Sequence, residues 1–282
     1  MTEKDFAVFV LSHGRADNVV TIKTLRSCGY KGKIYVVIDN LDPQIDKYKE
    51  KYGDDVIVFD KEKEAEKVDT FSNNKKLKVI LYARNVCFDL AKKLNLKYFL
   101  ELDDDYTAFQ FRFADKGKLK HKKCVNLDNI FESILKFLDV SGALTVAMAQ
   151  GGDYIGGVGS RVFRKKLTRK AMNSFFCRAD RPFRFRGEIN EDVNTYTLLG
   201  SQGKLFFTLG MIGLEQGTTQ QNKNGMTDVY LKYGTYVKSF YSVMCMPSAV
   251  KIATMGVTDR RVHHQIVWEN CVPKIISDKY KK

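Results

Sequence analysis

In the stretch Tyr98-Phe99-Leu100-Glu101-Leu102-Asp103-Asp104-Asp105-Tyr106 an apolar run passes straight into three adjacent carboxylates. Tyr98, Phe99, Leu100 and Leu102 have the make-up of a buried strand. Three neighbouring acids repel one another unless a cation or a strong donor stands among them. On an extended chain Asp103 and Asp105 point to one side and Asp104 to the other. Two oxygen ligands at a strand's carboxyl end suit Mg2+ or Mn2+ arriving with a phosphorylated substrate. That end is also where open α/β sheets bind ligands. Taken alone, the three acids read equally well as an acidic surface turn, so the flanking segments decide.

Upstream, Ala83, Val86, Cys87, Leu90, Ala91 and Leu94 follow the i, i+3, i+4 spacing of an amphipathic helix that delivers the chain to Tyr98. Phe6–Leu11 reads as a central strand, and Ser12-His-Gly-Arg15 follows it as a loop. Asp17 is expected to cap a helix over residues 18–28. Residues 33–38 make a second strand closing on Asp39, Pro43 opens a short helix through Tyr52, and Val56–Phe59 is a third strand. The mixed-charge residues 61–78 read as loop. Strands alternating with helices indicate βαβ units, hence an α/β domain with a mostly parallel sheet flanked by helices.

Downstream, residues 107–113 alternate like a strand, and 112–123 read as a basic loop. A helix over 126–139 presents Ile130, Phe131, Ile134, Phe137 and Leu138. Strands are expected at 143–149, 173–176 and 205–208, with helices at 191–200 and 227–241, the last capped by Thr227. No linker, repeat or low-complexity tract divides the chain, so residues 1–282 read as one domain.

The chain has 282 residues, 44% hydrophobic and 28% charged, the composition of a soluble globular protein. No apolar run approaches the roughly 20 residues that span a bilayer, and the amino terminus does not read as a signal peptide. Six scattered cysteines without a CxxC pair argue against structural zinc and fit reduced core thiols of a cytosolic protein. The net charge of +14 is high for an enzyme of small molecules and usual for a protein with a polyanionic partner.

The glycine cluster Gly151-Gly-Asp-Tyr-Ile-Gly-Gly-Val-Gly159 lacks the phosphate-loop signature, because Val158 stands where the lysine belongs. A tight loop letting substrate approach the backbone is the better reading. Residues 161–186 carry ten Lys/Arg and one acid, with Phe163, Phe175, Phe176, Phe183 and Phe185 among them. Cations for phosphates and rings for bases are what nucleic-acid binding needs, with Arg161, Arg164, Arg178, Arg181, Arg184 and Arg186 the phosphate-pairing candidates. A solvated face over buried phenylalanines is the alternative. In Arg186-Gly-Glu-Ile-Asn-Glu-Asp192, Glu191 and Asp192 start a helix, as capping acids or as a general base. His263-His264 are two of only four histidines, and one imidazole would complete a site of two carboxylates on a diphosphate-bound metal.

Ser12-His-Gly-Arg15, Asp39, Ala83-Arg-Asn85, Asp103-Asp-Asp105, Asn190-Glu-Asp192 and a late histidine, in this order, resemble a metal-dependent glycosyltransferase of the GT-A fold. That fold is a single Rossmann-like α/β domain. The basic, phenylalanine-rich segment before Gly187 narrows the resemblance to the phage-type TET-associated glycosyltransferases, thought to add sugars to 5-hydroxymethyl pyrimidines in DNA. The resemblance implies that residues 1–105 bind a nucleotide-sugar, such as a UDP-sugar, and that 106–282 bind the acceptor and carry out the chemistry. Ser12, Arg15 and Asp39 would hold base and ribose, and Arg84 the ribose or diphosphate. Asp103 would contact metal or ribose, Asp105 would bind Mn2+ or Mg2+ directly, and His263 or His264 would complete the shell. Asp104 is an alternative member of the ligand pair. Asp192, or Glu191, would take the proton from the hydroxyl of hydroxymethylcytosine, with phenylalanines holding the opened strand.

The expected partners are therefore hydroxymethylated DNA and a nucleotide-sugar, without stable membrane association, in the cytoplasm (the host's, if phage-encoded). Two other readings stay open: a glycosyltransferase of saccharide or lipid acceptors, and a non-catalytic nucleic-acid-binding protein whose acids lie on the surface.

Overall fold

In the computed structural model, which describes residues 5–71, 79–216, 227–255, 261–275 and 278, the run Phe6–Leu11 is strand β1, buried along its whole length. A short turn at Ala16–Asn18 leads to α1 (Val20–Ser27), then β2 (Lys33–Asp39), α2 (Ile45–Tyr52), β3 (Val56–Phe59), α3 (Lys61–Ala65) and α4 (Leu81–Lys93). The acid-bearing stretch supplies β4 (Tyr98–Asp103), followed by β5 (Tyr106–Asp115), β6 (Lys118–Lys123), α5 (Leu127–Ser141), β7 (Thr145–Gln150) and α6 (Arg161–Lys165). The remainder is β8 (Leu167–Thr168), β9 (Ser174–Arg178), α7 (Glu191–Ser201), β10 (Phe206–Gln216), α8 (Thr227–Cys245), β11 (Val250–Met255) and β12 (Arg261–Ile266).

The main sheet runs β3-β2-β1-β4-β9-β7-β10-β5-β6, with β8 on β10. β1 to β4 are mutually parallel, and β7 is parallel to β10. Only β5, β8 and β9 oppose the common direction. This is a mostly parallel, mixed α/β sheet, as its βαβ rhythm predicts. Residues of β1 alternate between two cores. Phe6, Val8 and Val10 face the side of α1 and α5, where Leu25, Phe131, Ile134 and Leu138 pack. Ala7, Phe9 and Leu11 face the side of α4 and α7, with Leu81, Cys87, Val193 and Tyr196. Each such large side chain contributes about 1.5–3 kcal/mol on burial. The register Leu11↔Asp103 and Leu11↔Val37 brings the carboxyl ends of β1, β2 and β4 side by side.

Several expectations need correction. Residues 61–65 form α3 rather than loop, because Asp60 caps it by accepting from Lys63 N at 3.0 Å; residues 72–78 of that expected loop lie outside the described residues. Asp17 caps no helix: it pairs with Lys47 instead, and α1 starts only at Val20. Residues 112–123 are a β-hairpin, not a basic loop. Lys116 and Gly117 both take positive φ, 47° and 74°, the conformation that a two-residue hairpin turn demands. The strand expected at 205–208 continues to Gln216 across a register shift between Leu209 and Gly213. At the carboxyl end α8 packs on the β11–β12 pair.

All six cysteines are unpaired, and five of them are buried. Among the described residues no helix is long and apolar enough to cross a membrane.

Candidate active site

The loop after β1 is pinned by residues from three elements. Ser12 Oγ donates to Asp104 Oδ2 at 2.5 Å and lies 2.7 Å from Tyr48 Oη. Arg15 Nη1 donates to Asp104 Oδ1 at 2.9 Å, and Arg15 N donates to Tyr48 Oη at 2.9 Å. Both oxygens of Asp104 are thus engaged by protein, which turns it towards the Ser12 loop. Asp39, at the end of β2, accepts from buried Lys61 Nζ at 3.1 Å and lies 2.8 Å from His13 Nδ1. Burial opposes its charge, but His13 and Lys61 outweigh burial and hold the carboxyl below its ordinary range. Ser12 and Arg15 are thus tied to Asp104 and Tyr48, and Asp39 to the neighbouring His13 and Lys61.

Arg84, in the first turn of α4, is 2% exposed. Its Nε donates to Glu191 Oε1 at 3.0 Å and its Nη2 to Asp103 Oδ1 at 3.2 Å, while Nη1 stands 4.0 Å from Glu101 Oε2. The guanidinium lies over the Phe175 ring, 4.8 Å from its centroid. Burial alone would weaken the guanidinium's hold on its proton, but Asp103, Glu191 and Glu101 reverse that and keep it firmly charged. This cation joins the acid motif after β4 to the acids that open α7.

Asp104 and Asp105 form the turn between β4 and β5 rather than an extended chain, and Asp105 accepts from Gln216 Nε2 at 2.9 and 3.1 Å. The carboxyls of Asp103 and Asp105 are pushed upward, first by burial, and Asp103 further by the charge of Asp105 against the pull of Arg84. Arg84, a single cation, faces both Asp103 and Glu191, so a surplus of buried negative charge remains beside Asp105. Oxygen donors with surplus charge fit a hard divalent cation such as Mg2+ or Mn2+. The histidine expectation fares differently. His263 and His264 stack on each other at 4.3 Å on β12. Among the described residues no three His, Cys, Asp or Glu side chains are gathered to hold a metal. Burial depresses both imidazoles, His264 to about 4.

Asp192 is buried at the first turn of α7, and burial, then the adjacent Glu191 charge, pushes its carboxyl up to about 7. Asn190, just before the helix, takes a left-handed conformation with φ 53°. Its amide Nδ2 donates to Lys238 O at 2.7 Å and to Ser242 Oγ at 3.0 Å, both on α8. Lys238 also lowers the Asp192 carboxyl and both imidazoles, so the histidine pair borders the Asp192 side of the molecule.

The arginine-rich segment does not form one surface. Arg178 pairs with Asp139 at 2.5 Å and with Asp180, and Arg181 donates to the carbonyls of Leu138 and Ala143 at the end of α5. Arg178 is opposite Tyr98 in register, at the far end of β4 from the acids. Arg184 pairs with Glu64 at 3.1 Å and, with Arg181, Arg186 and Lys204, lines a cleft of about 520 Å³ near the carboxyl end of α7. Nine helical steps separate that end from Asp192, about 14 Å. Arg161 lies over Trp268 at 5.6 Å, and Arg164 is exposed beside it on α6. Phe163, Phe175, Phe176, Phe183 and Phe185 are 7% exposed or less. They are core rings, so the base-stacking role expected of them is corrected: Phe176 and Phe183 pack among Phe88, Phe131 and Phe206, Phe175 packs on Phe185, and Phe163 packs with Tyr154 and Val162.

Tyr48, Lys61, Glu101 and Gln216 were not singled out in the sequence. Glu101 alone carried a signal, a carboxylate inside an apolar strand. Lys61 is hidden in a charge run, Tyr48 in a polar helix, and Gln216 lies 111 positions from Asp105.

A family model described as TET-Associated Glycosyltransferase matches residues 6–225. The chain belongs to that family. None of the curated proteins compared matches it. Among solved structures it is similar to S. aureus TarS, at 13% identity and a TM-score of 0.45, over 77% of this chain and 61% of that one. It therefore spans less than two thirds of the TarS chain. It is also similar to glucosyl-3-phosphoglycerate synthase from Mycobacterium tuberculosis in complex with Mg2+ and uridine-diphosphate, at 9% identity and a TM-score of 0.44, over 93% of this chain and 87% of that one. The same enzyme with Mn2+ and UDP-glucose aligns at 11% identity and a TM-score of 0.42, over 93% and 86% of the two chains.

Proposed function

From membership of the TET-associated glycosyltransferase family, we propose that this chain transfers a sugar from a UDP-sugar to the hydroxymethyl group of a modified cytosine in DNA, phage DNA in the first instance. The observation that carries the reading is Arg84, which ties Asp103 to Glu191 and so joins a donor-side acid to the pair that would activate an acceptor. The charge of +14 supports a polyanionic acceptor.

Ser12, Arg15 and Asp104 form a preset rim for base and ribose, and the ionised Asp39 would accept hydrogen bonds from the ribose hydroxyls. Mn2+ or Mg2+, held by Asp103 and Asp105, would supply Lewis-acid stabilisation of the departing nucleoside diphosphate. Arg84 fixes the Asp103 carboxylate and pairs with Glu191. The Glu191 charge in turn raises the basicity of Asp192, the residue suited to take the hydroxymethyl proton near neutral pH. A bond then forms from that oxygen to the anomeric carbon as the bond to the diphosphate breaks. Asp104 serves the rim rather than the ion, and His263 and His264 are not needed as ligands.

Incubating the chain with hydroxymethylated DNA, Mn2+ and a panel of UDP-sugars tests the proposal. A hexose or pentose mass gain on the DNA, absent with unmodified DNA, is the expected result. Transfer only to another acceptor would leave the glycosyltransferase and remove the DNA.

A further inference from the structure

We infer that the β5–β6 hairpin is the dock for duplex DNA, its two-stranded ribbon lying along the major groove beside the nucleotide to be modified; this rests on the DNA acceptor proposed above. The hairpin presents Phe111 and Phe113, each 40% exposed, on the same face. In register, Phe111 stands opposite Lys122 and Phe113 opposite Lys120, and directly opposed residues share a face. Lys118 completes the row opposite Asp115. Asp115 pairs with Lys120 at 2.6 Å, while among the described residues Lys118 and Lys122 form no ion pair.

Lysines on an edge strand guard against sheet-to-sheet association, and that alone would explain the charge. It does not explain two aromatic rings left half in water between the lysines. Rings beside unpaired cations match a polyanion that also offers apolar groups, and the major groove offers thymine methyls between two phosphate rows. A ribbon of two strands about 4.8 Å apart fits a groove about 12 Å wide. A substituent on C5 of a pyrimidine projects into that same groove.

The distance fits as well. β5 begins at Tyr106, adjacent to Asp105, and Gln216, the β10 residue paired with Tyr106, holds the Asp105 carboxylate. Acids and hairpin are therefore two ends of one hydrogen-bonded piece. At about 3.4 Å per residue, Phe111 and Phe113 lie about 17 and 24 Å from Tyr106, or about five to seven base-pair steps.

The test uses the full chain, a Phe111→Ser/Phe113→Ser variant and a Lys118→Gln/Lys120→Gln/Lys122→Gln variant. Binding to hydroxymethylated duplexes is followed by fluorescence anisotropy across a salt series, and UDP binding serves as the control for folding. The lysine variant is expected to bind about tenfold or more weakly, with the log K against log salt slope reduced by about two to three. The phenylalanine variant should lose about tenfold at an unchanged slope. Duplexes keeping fewer than about five base pairs on either side of the modified base should bind the unaltered chain no better than they bind the variants. Equal DNA affinity of all three proteins overturns the inference. So does unchanged DNA affinity accompanied by lost pelleting with phosphatidylserine vesicles, or by a changed sedimentation mass, which would assign the face to lipid or to a second copy. If the unaltered chain binds no DNA at any salt, the DNA acceptor falls too. If it binds and modifies DNA and the variants do so equally, only the hairpin's role falls.

Discussion

Arg84 and Glu191, 107 positions apart in the chain, meet at 3.0 Å through Nε and Oε1. The same guanidinium donates through Nη2 to Asp103. Removing it strands buried carboxylates without a counter-charge. Arg84→Met is expected to cost about 3–5 kcal/mol of stability in urea unfolding and to abolish transfer. Arg84→Lys, which cannot span two carboxylates at once, should recover stability in part and activity hardly at all.

Asp192→Asn should leave UDP binding unchanged and lower kcat by about 10²–10⁴. A loss of donor affinity equal to the loss of rate would remove Asp192 from the proton-transfer role. Because its carboxyl is pushed up to about 7, the base is protonated below neutrality. The profile of kcat/KM should therefore rise with pH and level off above about 7, and Asp192→Asn should flatten that limb.

Asp105 and Asp104 should part company. Asp105→Ala is expected to end metal-dependent UDP-sugar binding in calorimetry, mimicking EDTA, while DNA binding persists. Asp104→Asn, which frees Ser12 and Arg15, should raise the donor KM roughly tenfold or more and leave the metal requirement in place. If Asp104→Asn instead abolishes the metal effect, the ligand pair has been drawn wrongly.

Glu101 is fully buried, and burial holds its carboxyl well above the ordinary range. The folded chain then keeps a proton that the unfolded chain releases above about pH 4.3. Stability from this group is complete below that pH and declines as pH rises towards the folded value, by about 1.4 kcal/mol per unit. Glu101→Gln should remove the decline, which urea unfolding between pH 5 and 8 would register.

What the chain declared in advance was whatever lay in a short run. The strand before Asp103 was legible because four apolar side chains precede the acids, and Arg84 because its helix has clean spacing. The hairpin was not, since exposed lysines mask the alternation of β6. Nor was the fate of Phe175 and Phe185, because an aromatic ring between arginines looks the same in sequence whether it faces a core or a base. The Asp105–Gln216 contact depends on a register shift in β10, and nothing local announces it.

Asn190 keeps its left-handed turn through two bonds to α8, and α8 begins at Thr227, just beyond the residue 225 where the family match ends. The region that defines kinship and the region that makes a working catalyst therefore have different borders. A chain cut at 225 would retain every acid of the site and still leave the start of α7 without its brace. Trimming to the family boundary, a usual way to prepare a minimal enzyme, should yield a protein that holds UDP-sugar and transfers nothing.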